Sequence, residues 1–408
     1  LTTRDVYLNF LVSDNSPSLQ IANQLLSRRC IETEDEQFRI FDEEVSSYVS
    51  NNDTYDYIIA EEFNKLIIAT NSPNRIQIIN TISNIVESDI TVQSGAKNLV
   101  YSPKYKKVYV SGGNSKVDVI NVLTNTLETT LDIGVTGQKM IYNPSNKYVY
   151  VATNVFAPGQ YIVIDNISIN ATIDVLVKDH VYVGDNAEIY TINGGSEIKR
   201  IGNTVITGTI VSGATSLDHI SYNGGQYLYV ASNNNNKVYV IDITTNSVVK
   251  EILITEGIGT IYGFKQISYG NVNRLYISNS NGATNTKITI VNTIDNVDPS
   301  KNNTVDKIID TGIYVNDFVY NENEGYVYLG GVNGEITLID TTNDNENFEG
   351  LESEVDSYTL PSGSVSQLVY VNVGEIGKIY PLTYSAQELM CLISGKFIPN
   401  NIEVLFNN

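Results

Sequence analysis

The sequence predicts an all-β chain folded as a β-propeller of four-stranded antiparallel blades. Three observations carry that prediction. Tyr101, Tyr142, Tyr182, Tyr222, Tyr269, Tyr320 and Tyr370 recur at separations of 41, 40, 40, 47, 51 and 50 residues, a period that marks a blade-like unit. Within each period lie four short runs that alternate apolar with polar residues, the pattern of a half-buried strand. Gly, Asn and Pro punctuate the runs as turn residues.

The clearest unit runs from 96 to 133. It contains AKNLVYSP, KKVYVSGG, KVDVIN and TLETTLDI, linked by short turns. The next unit repeats it as GQKMIYNP, KYVYVAT, QYIVIDN and NATIDVLV. DHVYVGD, AEIYTI, SEIKRI and TVITGTIV make a weaker copy over 179–211. HISYN, QYLYVAS, KVYVID and SVVKEILI then make a clean one. Two further copies run from GFKQISYG and from NDFVYN, and TYDYIIA (54–60) begins one upstream of the first clear unit. Each unit is a small sheet with two faces to bury, and stacking such sheets around an axis buries both.

This organisation gives a propeller over 54–371, an N-terminal extension over 1–53 and a C-terminal extension over 372–408. Seven blades is the preferred count. Eight follows if the termini form a composite blade, because VSQLVYV and KIYPLTY copy the first two strands and QFRIFDE can supply another. Upstream, VYLNFLV reads as a strand. LQIANQLLSRR reads equally well as a helix, with Ser16 as N-cap and Pro17 in its first turn.

Composition narrows the function. The net charge is −21, from 46 acidic and 25 basic residues, a field that repels phosphate and argues against a nucleic-acid groove. No apolar run approaches the ~20 residues of a spanning helix, so membrane insertion is not expected. Cys30 and Cys391 stand near opposite ends, as two free thiols or as a staple between the termini. Sequons at Asn52, Asn166, Asn170 and Asn302 are no more than such an Asn-, Ser- and Thr-rich chain throws up by chance. A chain that opens on Leu1 rather than Met is expected either of a processed product or of an incomplete sequence, in which a cleaved signal peptide is not visible.

Candidate chemistry is sparse. The two histidines, His180 and His219, each follow an aspartate (Asp179 and Asp218) at the start of a first strand in neighbouring units. If first strands line a central channel, both pairs can reach one mouth, where they could bind a divalent cation or exchange protons. Against this, His180 lies two residues before its tyrosine and His219 three, so strict alternation turns them to opposite faces. The acidic stretches 295–306 and 341–354 offer oxygen ligands but lack the spacing of a calcium loop. Asn80, Asn121, Asp165, Asp242, Asn292 and Asp340 recur at third-strand ends, where Asx side chains start turns. No catalytic triad order, CxxC pair or phosphate loop is present. The absence of Trp removes a Trp-lined sugar platform, while 28 tyrosines remain for contacts with glycan or protein.

The segments KVYVIDITTNSVVKEI, YVYVATN and YLYVASNNNNKVYVID resemble the YVTN-type β-propeller repeat, with YVSG, YVAT and YVAS as the matching strand ends. The resemblance covers about three quarters of the chain. It implies core and turn roles for the motif residues in a family with surface-layer, adhesive and enzymatic members. A YVTN-like relative, the streptogramin lyase, is said to use a channel-mouth His with a metal, and no motif here matches it residue by residue. The expected function is therefore a non-catalytic structural or binding module of an extracellular, cell-surface or virion assembly. Its expected partners are other protein subunits or a surface glycan, with no cofactor. The alternative is a metal-assisted lyase or hydrolase at the channel mouth.

Overall fold

The computed structural model describes residues 30–32, 37–42 and most of 54–396, the largest omission within that span being 341–356. The segments VYLNFLV and LQIANQLLSRR, and the acidic stretch 341–354, lie outside the described residues.

The alternating runs fold into seven four-stranded antiparallel blades, and the fold is a β-propeller. In the first blade, Thr54–Ala60, Lys65–Thr70, Arg75–Asn80 and Ile85–Thr91 follow one another as a meander. Blade 2 is Asn98–Ser102, Lys107–Ser111, Lys116–Asn121 and Thr126–Asp132; blade 3 is Gly137–Tyr142, Val149–Thr153, Gln160–Asp165 and Ser168–Asp174. Blade 4 begins at Asp179–Val183 and ends in the two-residue strand Thr209–Ile210. Blades 5 and 6 begin at Ala214–Tyr222 and Thr260–Tyr269, and blade 7 at Val315–Asn321.

Strands from both ends of the chain form an additional five-stranded sheet, the composite that the sequence left open. Its order is Cys30–Glu32, Gln37–Asp42, Cys391–Lys396, Ile376–Tyr384, Ser364–Val373. The strand holding Tyr370 thus runs past residue 371, and its sheet draws on both terminal segments. Asp42 pairs with Cys391 and Cys30 with Ile40. Strand Gln37–Asp42 therefore separates the two cysteines. Two strand spacings of about 4.8 Å exceed the ~7 Å Cα limit for a disulfide, so this register holds Cys30 and Cys391 apart.

The chain divides into two compact units, residues 1–90 with 317–408, and residues 91–316. Both are built on the same packing rule: the face of one blade packs on the face of the next. In the second unit, Tyr109, Val117 and Val119 of blade 2 meet Met140, Val149, Val151 and Ile162 of blade 3. In the first, Tyr328, Ile336 and Leu338 of blade 7 meet Val365, Leu368 and Ile379 of the composite sheet. Gly330 permits that approach, since a Cβ there would lie 2.4 Å from Val365 Cγ1.

The recurrent first-strand tyrosines do not form this core; Tyr101, Tyr142 and Tyr182 are only half-buried. Most of the buried tyrosines lie on second strands, among them Tyr109, Tyr150, Tyr229, Tyr276, Tyr328 and Tyr380, while Tyr161 and Tyr239 lie on third strands. Three of those on second strands reach the next sheet along. Tyr109 donates to Asn166 O at 2.7 Å, Tyr229 to Asn303 Oδ1 at 2.5 Å and Tyr380 to Asn84 Oδ1 at 2.8 Å. Each of those asparagines has a left-handed backbone, with φ of 55°, 57° and 55° at Asn166, Asn303 and Asn84. Asn tolerates that conformation better than most residues.

Outer strands are exposed edges, which invite pairing with other chains. Blades 2, 3, 5 and 6 each shift register against the third strand there, leaving Glu128, Asn170, Val249 and Asp306 as the extra residues. Such bulges twist an edge away from flat pairing. In blades 2 and 6 the extra residue also meets a base on the second strand. Glu128 lies 2.6 Å from Lys107 Nζ, and Asp306 lies 3.4 Å from an Arg274 guanidinium nitrogen.

Candidate functional site

The first strands carry the residues singled out for chemistry, and most of them are engaged in joining blades. In the unit 91–316, Lys139 of blade 3 lies 2.6 Å from Asp179 Oδ1 of blade 4. The second oxygen of Asp179 accepts the Leu217 N–H of blade 5 at 3.2 Å. Asp218 of blade 5 repeats the arrangement, taking the Gln266 N–H of blade 6 at 2.8 Å and its neighbour His219 N–H at 2.8 Å. In the unit 1–90 with 317–408, Asp317 of blade 7 accepts the Leu368 N–H of the composite sheet at 2.8 Å. A carboxylate on one first strand thus satisfies a backbone donor on the next. An unsatisfied buried N–H is costly, so such a contact fixes the spacing between neighbouring sheets. Burial is the larger influence on Asp218 and raises its carboxyl, against the lowering effect of those two N–H donors.

The two histidines do not share a partner. His180 Nδ1 lies 2.8 Å from Tyr161 Oη on the third strand of blade 3, with the two rings stacked at 6.0 Å. Burial pushes its imidazole down to about 4, more than the nearby Asp179 carboxylate can offset, and Lys139 lowers it further. At neutral pH the ring is therefore uncharged and wedged between blades 3 and 4. His219 instead turns into its own hairpin, where Nε2 lies 2.6 Å from Gln226 Oε1. The offset between the two histidines in sequence has this outcome: one faces the preceding blade and the other its own second strand.

Among the described residues, no group of three or more His, Cys, Asp or Glu side chains is placed to hold a metal ion. In the stretch 295–306, Pro299–Lys301 forms a 3₁₀ turn, and Asn303 receives the Tyr229 hydroxyl. The third-strand Asx residues divide. Asn80 accepts the Ile82 and Ser83 N–H groups, Asn121 those of Leu123 and Thr124, and Asp242 those of Thr244 and Thr245. These are the expected turn contacts. Asp165 instead accepts the Tyr105 hydroxyl of blade 2 at 2.5 Å, and Asn292 the Arg274 Nε–H at 3.1 Å. The side chain of Asp340 lies outside the described residues.

Two polar residues that the sequence reading passed over are more deeply placed than any candidate. Asp118, on the third strand of blade 2, is fully buried. It accepts the Gln93 and Ser94 N–H groups at 2.6 and 2.7 Å and the Thr130 hydroxyl. Lys378 is equally buried and donates to Thr81 O, to Ile82 O at 3.1 Å and to Asn84 Oδ1 at 2.8 Å. A signal for Lys378 is present in the sequence, since Lys107-Val108-Tyr109 and Lys378-Ile379-Tyr380 both place a lysine two residues before a buried second-strand tyrosine.

No family model matches the chain, and no curated protein matches it. Solved structures do match, and they are propellers. BamB from Moraxella catarrhalis aligns with a TM-score of 0.60 at 11% identity, over 87% of this chain and 99% of that one. The dihydro-heme d1 dehydrogenase NirN in complex with DHE aligns with a TM-score of 0.63 at 12% identity, over 88% and 78%. The β-propeller domain of Myceliophteria thermophila Cps50 (Swd1) gives 0.52 at 10% identity, over 86% and 99%. At such identities the likeness shows the fold alone.

Proposed function

We propose that this chain is a non-catalytic β-propeller serving as a structural or binding module of an extracellular, cell-surface or virion assembly. The observation that carries the reading is the use made of the candidate catalytic groups. Asp179, Asp218 and His180 bond across blade boundaries, and His219 bonds inside its hairpin. Groups so engaged act as spacers between sheets and are poorly placed to turn over a substrate. The YVTN-like segments fit the reading, because Tyr109, Tyr150 and Tyr229 of YVSG, YVAT and YVAS are core residues. The partners are other protein subunits or a surface glycan. A net charge of −21 keeps such a module soluble and away from nucleic acid.

Sedimentation of the purified protein across a concentration series, together with a glycan array, tests this directly. Ordered self-association or a glycan hit supports the module; a monomer with neither counts against it. A metal-assisted lyase or hydrolase acting through His180 and His219 predicts something different. Purified protein would retain a stoichiometric metal, and His180→Ala with His219→Ala would release it.

A further inference from the structure

In the unit formed by residues 1–90 and 317–408, a cavity of about 390 Å³ opens to solvent at the turns that follow three strands. Glu61 and Asn64 stand on the turn after the first strand of blade 1, and Glu322 on the corresponding turn of blade 7. Asn372 stands near the end of the strand Ser364–Val373. Ile59 and Val371 supply aliphatic wall, and Thr81 completes the lining. From this arrangement we infer that the cavity is a binding site for a basic side chain, the lysine or arginine of a protein segment. The inference deepens the reading of the chain as a binding module and rests on it.

Charge sets the class of ligand. Glu61 and Glu322 are both exposed carboxylates, and none of the described lining residues is basic. Glu322 accepts one hydrogen bond from Asn372 Nδ2, at 3.2 Å, which leaves most of its acceptor capacity open. Glu61 makes no ion pair among the described residues. A cation with several N–H donors matches such acceptors, and its charge strengthens each bond. Its aliphatic stem would lie along Ile59 and Val371, as lysine and arginine stems do on apolar surface.

Thr81 supplies the second, independent observation. The residue is fully buried, its N–H donates to Asn64 O at 2.8 Å, and its carbonyl receives Lys378 Nζ. Its hydroxyl alone has no hydrogen-bond partner. Buried hydroxyls are ordinarily satisfied, and one without a partner beside a cavity points to a donor or acceptor brought by a ligand. Other ligand classes fit less well. Two carboxylates repel phosphate, and a sugar pocket usually offers an aromatic face, which none of the described lining residues provides. A bare metal ion would leave the aliphatic wall without a role.

The test uses a short peptide, acetyl-Gly-Gly-Arg-Gly-Gly-amide, titrated by heteronuclear NMR at low ionic strength beside its citrulline counterpart. The expected result is saturable binding of the arginine peptide, at least tenfold tighter than citrulline and weakened by added salt. Glu61→Gln with Glu322→Gln should lower affinity at least tenfold. Thr81→Val, which replaces the hydroxyl with a methyl group, should lower it several-fold. Both carboxylates are exposed, so the double variant should keep the wild-type circular dichroism and melting profile. Equal binding of the citrulline peptide, no effect of the double variant, or no saturation at millimolar peptide would each overturn the inference. So would a neutral oligosaccharide whose binding the double variant abolishes. The module reading is separable: assembly retained by the double variant leaves that reading standing while removing this site from it.

Discussion

Lys378 Nζ and Asn84 Oδ1 lie 2.8 Å apart across 294 residues of sequence. Lys378 belongs to the second strand of the composite sheet and Asn84 to the last turn of blade 1, so one ammonium joins the late chain to the first complete blade. Thr81 O and Ile82 O take its other protons, and Tyr380 donates to the same Asn84 oxygen. Lys378→Met keeps the stem and removes three donors from buried acceptors. A charge-assisted bond contributes about 1.5–3 kcal/mol, and urea denaturation should show a loss of about 3 kcal/mol. A variant as stable as the parent would remove Lys378 from the closure.

The tyrosine contacts predict a smaller and repeated effect. Tyr109→Phe deletes only the hydroxyl that bonds Asn166 O, and Tyr229→Phe only the one that bonds Asn303. Each should cost about 1 kcal/mol. The two tyrosines lie in different blades and share no partner, so the double variant should lose the sum. Marked non-additivity would show that the contacts act as one network.

His180 gives a signed pH dependence. Its folded imidazole takes a proton only near about 4, whereas an unfolded histidine does so near about 6.5. Between those values the unfolded chain binds more protons, so stability rises with pH. The contribution is complete above pH ~6.5 and lost as pH falls toward ~4, amounting to about 2 kcal/mol between pH 7 and 5. Asp179 and Lys139 face the ring and oppose each other. His180→Gln should flatten the stability profile over that interval by the same amount. An unchanged slope would falsify the assignment.

Cys30 and Cys391 should both be alkylated by iodoacetamide when the protein is unfolded without reductant, as peptide mass spectrometry can read. A linked peptide pair instead would require the strand Gln37–Asp42 to leave its place between them.

The repeat was legible because each blade encodes its own four strands. The alternation of TYDYIIA predicts the strand Thr54–Ala60, and QFRIFDE predicts the strand Gln37–Asp42. Period-two patterning is a local property, so a single pass along the chain recovers it. The site was less legible. Asp179 and Asp218 stand out because they precede the histidines, yet besides the Lys139 ammonium at Asp179 the partners that tie them to the next blade are the backbone N–H groups of Leu217 and Gln266. Every residue but proline carries that donor, so sequence cannot distinguish the one that will be used.

The sequence by itself determined the four-stranded repeat, the order of strands within it and the acidic character of the chain, while leaving the blade count between seven and eight. It also set the recurrent Asn positions that can adopt a left-handed turn. Tertiary structure decided which tyrosines form the core, where Lys378 and Asp118 find their partners, and that Asp165 serves the neighbouring blade rather than its own turn. The physical reason is the range of each interaction. Strand formation follows side-chain alternation over a few residues. Burial and hydrogen bonding between blades depend on groups tens to hundreds of residues apart, which meet only once the sheets have stacked.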